Sequence, residues 1–294
     1  MRNHSPSFPF FSSLLPNTSP HTCRENCSFT DSHLTLESSA TFTSCVFSKC
    51  EADYGGGLYT NQVDSTLQVT SCYFVNCHAE EDYGGGIATE YLANVYISFS
   101  SFINCHGRNK SDPNSGGGAV YLNTTYQCHQ IHNCEFLQCY AGADGGAVHL
   151  RNCEVPDTDG FADTRFIACK TLYEVHNVEG GAVQSWIVAV TCYFSNCLVT
   201  NCHSYQGGGL FLQVKENYGT KIASFCLFSD NTASEYGNDL YFSGSLNEPL
   251  LHCLSLTRSN RIYPTNNDDN WLPQGYFYLL HLTDGDDSDT VVHC

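Results

Sequence analysis

The sequence predicts an all-β chain wound as a parallel β-helix of about seven coils, and three observations carry that prediction. A phenylalanine recurs inside C-x-F-x-x-C or a close variant, at Phe47, Phe74, Phe102, Phe136, Phe166, Phe194 and Phe228. Each is followed by glycines and an aliphatic: GGGL (55–58), GGGI (84–87), GGAV (117–120), GGAV (145–148), GGAV (180–183), GGGL (207–210) and a degenerate GNDL (237–240). No stretch of ten residues shows the 3.6-residue periodicity of a helix. A unit repeated every 30 residues or so cannot bury an apolar face alone, so the copies must stack to make a core.

Within a repeat, short strands are the natural reading. Positions i and i+2 share one face of a strand, so Cys72 and Phe74 point together, as do Ile87 and Thr89. Three strands per repeat, separated by turns, would make one coil. Equivalent residues then form ladders: the seven phenylalanines, and the aliphatics Leu58, Ile87, Val120, Val148, Val183, Leu210 and Leu240. Val69, Ile97, Ile131 and Phe161 suggest a third apolar column. The glycines belong where the backbone bends tightly or takes positive φ.

The cysteines fall into two further columns. One is Cys45, Cys72, Cys134, Cys192 and Cys226, with Ser100 and Thr164 in the gaps; the other is Cys50, Cys77, Cys105, Cys139, Cys169 and Cys197, ending at Asn231. Replacement by Ser, Thr or Asn indicates small inward sites, and buried free cysteine packs as a small hydrophobe. Disulfides between neighbouring coils remain sterically open, because Cα atoms about 5 Å apart lie in bonding range.

The ends leave the pattern. Residues 1–21 (MRNHSPSFPFFSSLLP and onward) lack a clean apolar stretch and read as a disordered leader rather than a signal peptide. Residues 22–44 read as an N-terminal cap, with CSFTDS (27–32) a worn first copy, and residues 45–244 as the repeats. Residues 245–294 read as a C-terminal cap and acidic tail; whether the chain is a segment of a longer surface protein stays open.

Charge narrows the partners. Thirty acidic residues face twelve basic ones, a formal net charge of −18. Nucleic acid and anionic membranes need clustered Lys and Arg, so they are excluded. No apolar run approaches the ~20 residues of a spanning helix.

Phe-x-x-Asn followed by Gly-Gly-Ala-[Ile/Leu/Val] resembles the repeat of the chlamydial polymorphic outer-membrane proteins, and of similar surface proteins in anaerobic protists. FSDN (228–231) matches the first half in full, Cys replaces Asn in FSKC (47–50), FVNC (74–77) and FINC (102–105), and GGAV occurs three times. The resemblance covers roughly residues 40–245 and implies a right-handed, pectin-lyase-like β-helix with an adhesin or surface role. The membrane barrel of the bacterial family has no counterpart in this sequence.

Recognition on such a solenoid usually lies in variable loops along one edge. These loops hold Tyr54, Asp82, Tyr83, Asp112, Asn114, Asp144, Tyr173, His203 and Tyr205, polar and aromatic groups suited to a sugar or protein. Cys128, His129, His132 and Cys134 form the one weak zinc-like cluster. His78 and His106 are expected as an exposed stacked pair, and the acidic Glu80, Glu81 and Asp82 as a solvated charge run. Asn109 and Asn123 are glycosylation sequons that act only on a secretory route. For catalysis the best cluster is Asp163 and Arg165 with Asp157 and Asp159, and it carries no polygalacturonase or pectin methylesterase motif. The expectation is therefore a non-catalytic, cofactor-free, surface or secreted adhesin-like scaffold for an extracellular protein or glycan. The alternatives are a polysaccharide lyase or hydrolase on the same fold, and an intracellular scaffold with reduced thiols.

Overall fold

The computed structural model describes residues 21–63, 65–80, 83–91, 94–107, 116–123, 129–154, 160–172, 178–189, 193–214, 220–224, 226–244, 249–256, 262–265 and 278–282. The expected leader and the end of the acidic tail lie outside them. Every strand pairing is parallel and no helix occurs among the described residues. The strands stack as a β-helix with four faces, not the three expected. The coil Asn94–Asn123 shows the plan: Asn94–Ser98 on the first face, Ser101–Ile103 on the second, His106–Gly107 on the third and Val120–Asn123 on the fourth. The first and second faces belong to one 18-stranded sheet, while the third and fourth are sheets of seven and nine strands.

The fourth face arises because one extended run is broken by a corner. Asn26, Ser44, Ser71, Phe99, Asn133, Asp163 and Asn196, between the first and second faces, all have φ between 50° and 55°. Asp31, Lys49, Asn76, Asn104, Gln138, Ala168, Asn201 and Asp230, between the second and third, have φ between 52° and 56°. Left-handed backbone is costly for most L-residues and least so for Asn and Asp, which fill nine of these fifteen corners. This is why Asn precedes Cys in F-x-N-C.

The residue after each corner points inward, which accounts for the cysteine columns. Cys72 Sγ donates to the Thr70 carbonyl at 3.3 Å, two residues back. Ser100 Oγ donates to the Ser98 carbonyl at 2.8 Å and Thr164 Oγ1 to Ala162 at 2.9 Å. Asn231 Nδ2 donates to the Val199 carbonyl of the coil before at 2.9 Å. The site therefore selects a small side chain with a donor, a property shared by all four residue types.

Side chains fill the interior in ladders. On the second face Phe29, Phe47, Phe74, Phe102, Phe136 and Phe166 stack in sequence, with centroids 4.6–5.0 Å apart and planes within 15°. From Phe47 to Phe166 these rings have no solvent exposure, and burying each contributes roughly 1.5–3 kcal/mol. The first face stacks Phe42, Val69, Ile97, Ile131, Phe161 and Phe194. The fourth stacks Leu58, Ile87, Val120, Val148, Val183, Leu210 and Leu240, as expected.

The sixth repeat departs from the expected register. Phe194 pairs with Phe161 on the first face, and Val199 takes the second-face position between Phe166 and Phe228. Likewise Cys197 follows Thr164 in the first cysteine column, while Cys202 follows Cys169 in the second. Cys192 lies outside the described residues. The motif CYFSNC (192–197) has moved one face early, and the parallel ladder absorbs the slip because both corners accept Asn followed by Cys. About five turns, Ser39 through Ala189, form the regular solenoid, rather than the seven expected. The later strands still pair onto it, but with slipped motifs and register shifts such as that between Lys221 and Ala223.

Residues on both sides add to the stack. His21–Glu25, Ser28–Thr30 and Leu34–Leu36 pair with the first regular coil on its first, second and fourth faces. Pro249–Leu256, Ile262–Thr265 and Tyr278–Leu282 continue the pairing at the other end.

The glycines stand where the fourth face meets the third. A Cβ on Gly146 would lie 2.1 Å from the Gly181 carbonyl oxygen and 2.6 Å from Lys170 backbone atoms, so only glycine lets the coils approach there. Gly146→Ala is expected to lower stability by about 3 kcal/mol in urea unfolding, through this overpacking. The opposite sign is expected at Phe99, which is left-handed (φ 51°) and 63% exposed. Phe99→Asn should raise stability by about 1 kcal/mol, read as a Tm increase of a few degrees.

Candidate functional site

The fourth-face strands bury inward positions on the core and carry a second layer on their outer side. Tyr59, Ala88, Tyr121, His149, Gln184, Phe211 and Tyr241 are successive partners in this outer ladder. From Ala88 onward all are buried, although they face away from the core. Residues that precede the glycines pack over this ladder: Tyr54 beside Tyr59, Tyr83 on Tyr121 and Glu179 against Gln184.

The first part of this layer is aromatic. Tyr54 stacks on Tyr83 (6.2 Å, 28°) and lies beside Tyr59 (5.6 Å). Tyr83 stacks closely on Tyr121 (4.0 Å, 20°), which meets His149 edge-on (5.3 Å). The rings expected to offer their faces to a sugar therefore pack largely on each other. Tyr59 Oη donates to Glu90 Oε2 at 3.0 Å, and burial with the Glu90 charge pushes its phenol up to about 12.

The second part is polar and half-hidden. Asp144 is 6% exposed and its Oδ1 accepts the Glu179 N–H at 2.9 Å. Gln184 Nε2 donates to Glu179 Oε2 at 3.4 Å. Burial pushes the Asp144 carboxyl well above its usual range, with the Glu179 charge adding to it, and burial lifts Glu179 to about 7. His149 is 2% exposed with neither ring nitrogen hydrogen-bonded, and burial, with the Arg151 charge, holds it down to about 3. Both carboxyls are thus held toward the protonated form and the imidazole toward the neutral one, with Asp144 and His149 screened from solvent.

The other sequence-picked residues do not join it. Tyr205 and His203 lie half-buried on the third face, where His203 Nδ1 is 2.8 Å from Thr232 Oγ1. Asp82, Asp112, Asn114, Tyr173, Cys128 and Asn109 lie outside the described residues, as do Glu81, Asp157 and Asp159. Asn123 ends a fourth-face strand, level with Glu90 and Arg151. The metal cluster does not converge: His129 is fully buried, edge-on to Phe161 at 6.3 Å, while His132 points to the opposite side of the strand and Cys134 sits at the inward corner. Among the described residues no group of three or more His, Cys, Asp or Glu could hold a metal ion.

His78 and His106 meet edge-on at 3.7 Å (68°) rather than stacking, and His78 is buried rather than exposed, its Nε2 2.9 Å from Glu80. Tyr140 stacks on His106 at 4.6 Å. Asp163 occupies an exposed corner and its Oδ1 accepts the Asn196 amide at 2.6 Å; Arg165 projects from the next strand. His149, Glu179, Gln184 and Tyr121 escaped the sequence reading. Part of the signal was present in the order E-GG-A-V-Q (179–184), where the residue before the glycines and the one after the aliphatic meet.

No helix among the described residues is long and apolar enough to cross a membrane. Comparisons with protein families, with characterised proteins and with solved structures find no match to this chain.

A pH dependence follows from the buried carboxyls. A raised folded-state pKa contributes stability that is full below the unfolded value near 4 and is lost as pH rises through about 7 for Glu179. His149 acts oppositely, its contribution falling away below about pH 6.5 as the unfolded chain takes up a proton. Urea unfolding at pH 5 and pH 8 should show the wild type losing about 2 kcal/mol relative to Glu179→Gln across that interval. A difference between the two proteins that ignores pH would refute this account.

Proposed function

We propose that the chain is a non-catalytic, surface-exposed or secreted scaffold that binds an extracellular protein or glycan along the edge between its third and fourth faces. One observation carries the reading. The connections from the third-face strand to the glycines vary from coil to coil, from none where His203–Gln206 runs straight into Gly207 to the eight residues 108–115, while the strands on either side remain in parallel pairing. A rigid frame with variable segments on one edge suits recognition. The tyrosine layer beneath, Tyr54, Tyr59, Tyr83 and Tyr121, gives that edge a packed foundation. The charge of −18 favours neutral or cationic ligands over phosphate-rich ones.

The test is binding of the purified protein to arrayed neutral and acidic oligosaccharides and extracellular proteins, with polysaccharide depolymerisation followed in parallel. Replacing residues 108–115 by Asp-Tyr should weaken binding to the captured ligand at least tenfold and leave Tm within a few degrees. Unchanged affinity would remove the edge from recognition. Turnover abolished by Asp163→Ala or Arg165→Ala would make the protein an enzyme instead.

A further inference from the structure

The second cysteine column is an unbroken line of six thiols, Cys50, Cys77, Cys105, Cys139, Cys169 and Cys202, one per coil. Each cysteine sits directly above the one before it: the N–H after Cys77 donates to the Cys50 carbonyl, and the N–H groups after Cys105, Cys139, Cys169 and Cys202 donate in turn to the carbonyls of Cys77, Cys105, Cys139 and Cys169. Each thiol also leans toward the coil before it. Cys77 donates to the Phe47 carbonyl at 3.5 Å, Cys105 to Phe74 at 3.4 Å, Cys139 to Phe102 at 3.4 Å, Cys169 to Phe136 at 3.5 Å and Cys202 to Phe166 at 3.7 Å. Adjacent parallel strands place their Cα atoms about 4.8 Å apart, within the span a disulfide bridges.

The first column is interrupted. Cys27, Cys45 and Cys72 run together and Cys197 contacts Cys226, but Ser100 and Thr164 flank Cys134 on both sides. Cys134 Sγ donates to the Ile97 and His132 carbonyls, at 3.6 and 3.2 Å.

We propose that the second column is a disulfide-forming site with a single complete pairing, Cys50–Cys77, Cys105–Cys139 and Cys169–Cys202, stapling the coils two by two. A line of six, each able to bond only a neighbour, can be used up in just this one way; any bond between Cys77 and Cys105 strands Cys50. By the same rule Cys197 pairs with Cys226, Cys45 takes either Cys27 or Cys72, and Cys134 stays a thiol. Each staple breaks two S–H bonds and forms one S–S bond. Two electrons and two protons pass to a disulfide oxidant such as oxidised glutathione, which is reduced to two thiols. The thiols are fully buried, so the exchange occurs while the coils assemble rather than on the finished stack.

The experiment is oxidative refolding of the whole chain in a glutathione buffer, followed by blocking with N-ethylmaleimide, non-reducing digestion and mass spectrometry. The expected cross-linked peptides join residues 50 and 77, 105 and 139, and 169 and 202, with Cys134 carrying the block. The oxidised protein should melt at least 10 °C above the reduced one, because each bond closes a loop of roughly 30 residues. Cys50→Ser shortens the line to five, which has no complete pairing. It should give a mixture of linkages with one thiol of the five left blocked, while the strand signal in circular dichroism is retained. A dominant Cys77–Cys105 or Cys139–Cys169 bond in the wild type would overturn the proposal. So would a fully folded, oxidatively refolded protein with all six thiols blocked, or one unchanged pairing in Cys50→Ser.

Discussion

Everything in this molecule depends on the parallel hydrogen-bond ladder that sets one coil directly above another. The spacing it imposes, about 4.8 Å, is also the stacking distance of aromatic rings, so the Phe29–Phe166 column needs no adjustment to fit. Once the ladder exists, each residue faces its own copies. A good choice is repeated favourably in every coil, and a poor one is repeated unfavourably. That multiplication explains the narrow alphabet of the interior: Phe, small aliphatics, Cys, and Ser or Thr as its stand-ins.

The same constraint explains what the sequence made legible. Phe47 to Phe166 and the aliphatic column from Leu58 to Leu240 were readable because both position and chemistry recur. Phe194 and Cys197 were misplaced because their motif is correct but its face is not. Nothing local distinguishes YFS (193–195) from LVT (198–200); only pairing with Phe161 and Phe166 does. The fourth face was hidden for another reason. A left-handed residue turns the chain without leaving a turn motif of several residues, and a lone Asn or Ser before Cys looks like strand sequence.

The candidate site was legible in part. Tyr54, Tyr83 and Asp144 were picked as loop residues open to a ligand, yet they are lids over a second buried layer. Reading them as exposed ignored the outer side of the fourth-face strands, where Tyr121, His149 and Gln184 need cover. The layer divides by chemistry, tyrosines stacked at one end and two carboxyls held toward the protonated form beside a neutral histidine at the other. Its polar half is tolerated because hydrogen bonds to the Glu179 backbone and Gln184 replace some of the lost water.

The direction of the ladder also fixes how the protein meets force. Its hydrogen bonds run along the stack axis, so tension applied end to end loads the boundaries between coils in series, and the weakest parts first. The regular boundaries resist with pairs on all four faces. Among the described residues, the boundaries that add residues 21–36 and 249–265 hold no third-face pair, so a pull along the axis frees the ends first. Of the boundaries paired on all four faces, the one between Lys170 and His203 has the thinnest third face, a single partner, and on the second face it sets Val199 against Phe166 where the boundaries from Phe29 to Phe166 set ring on ring.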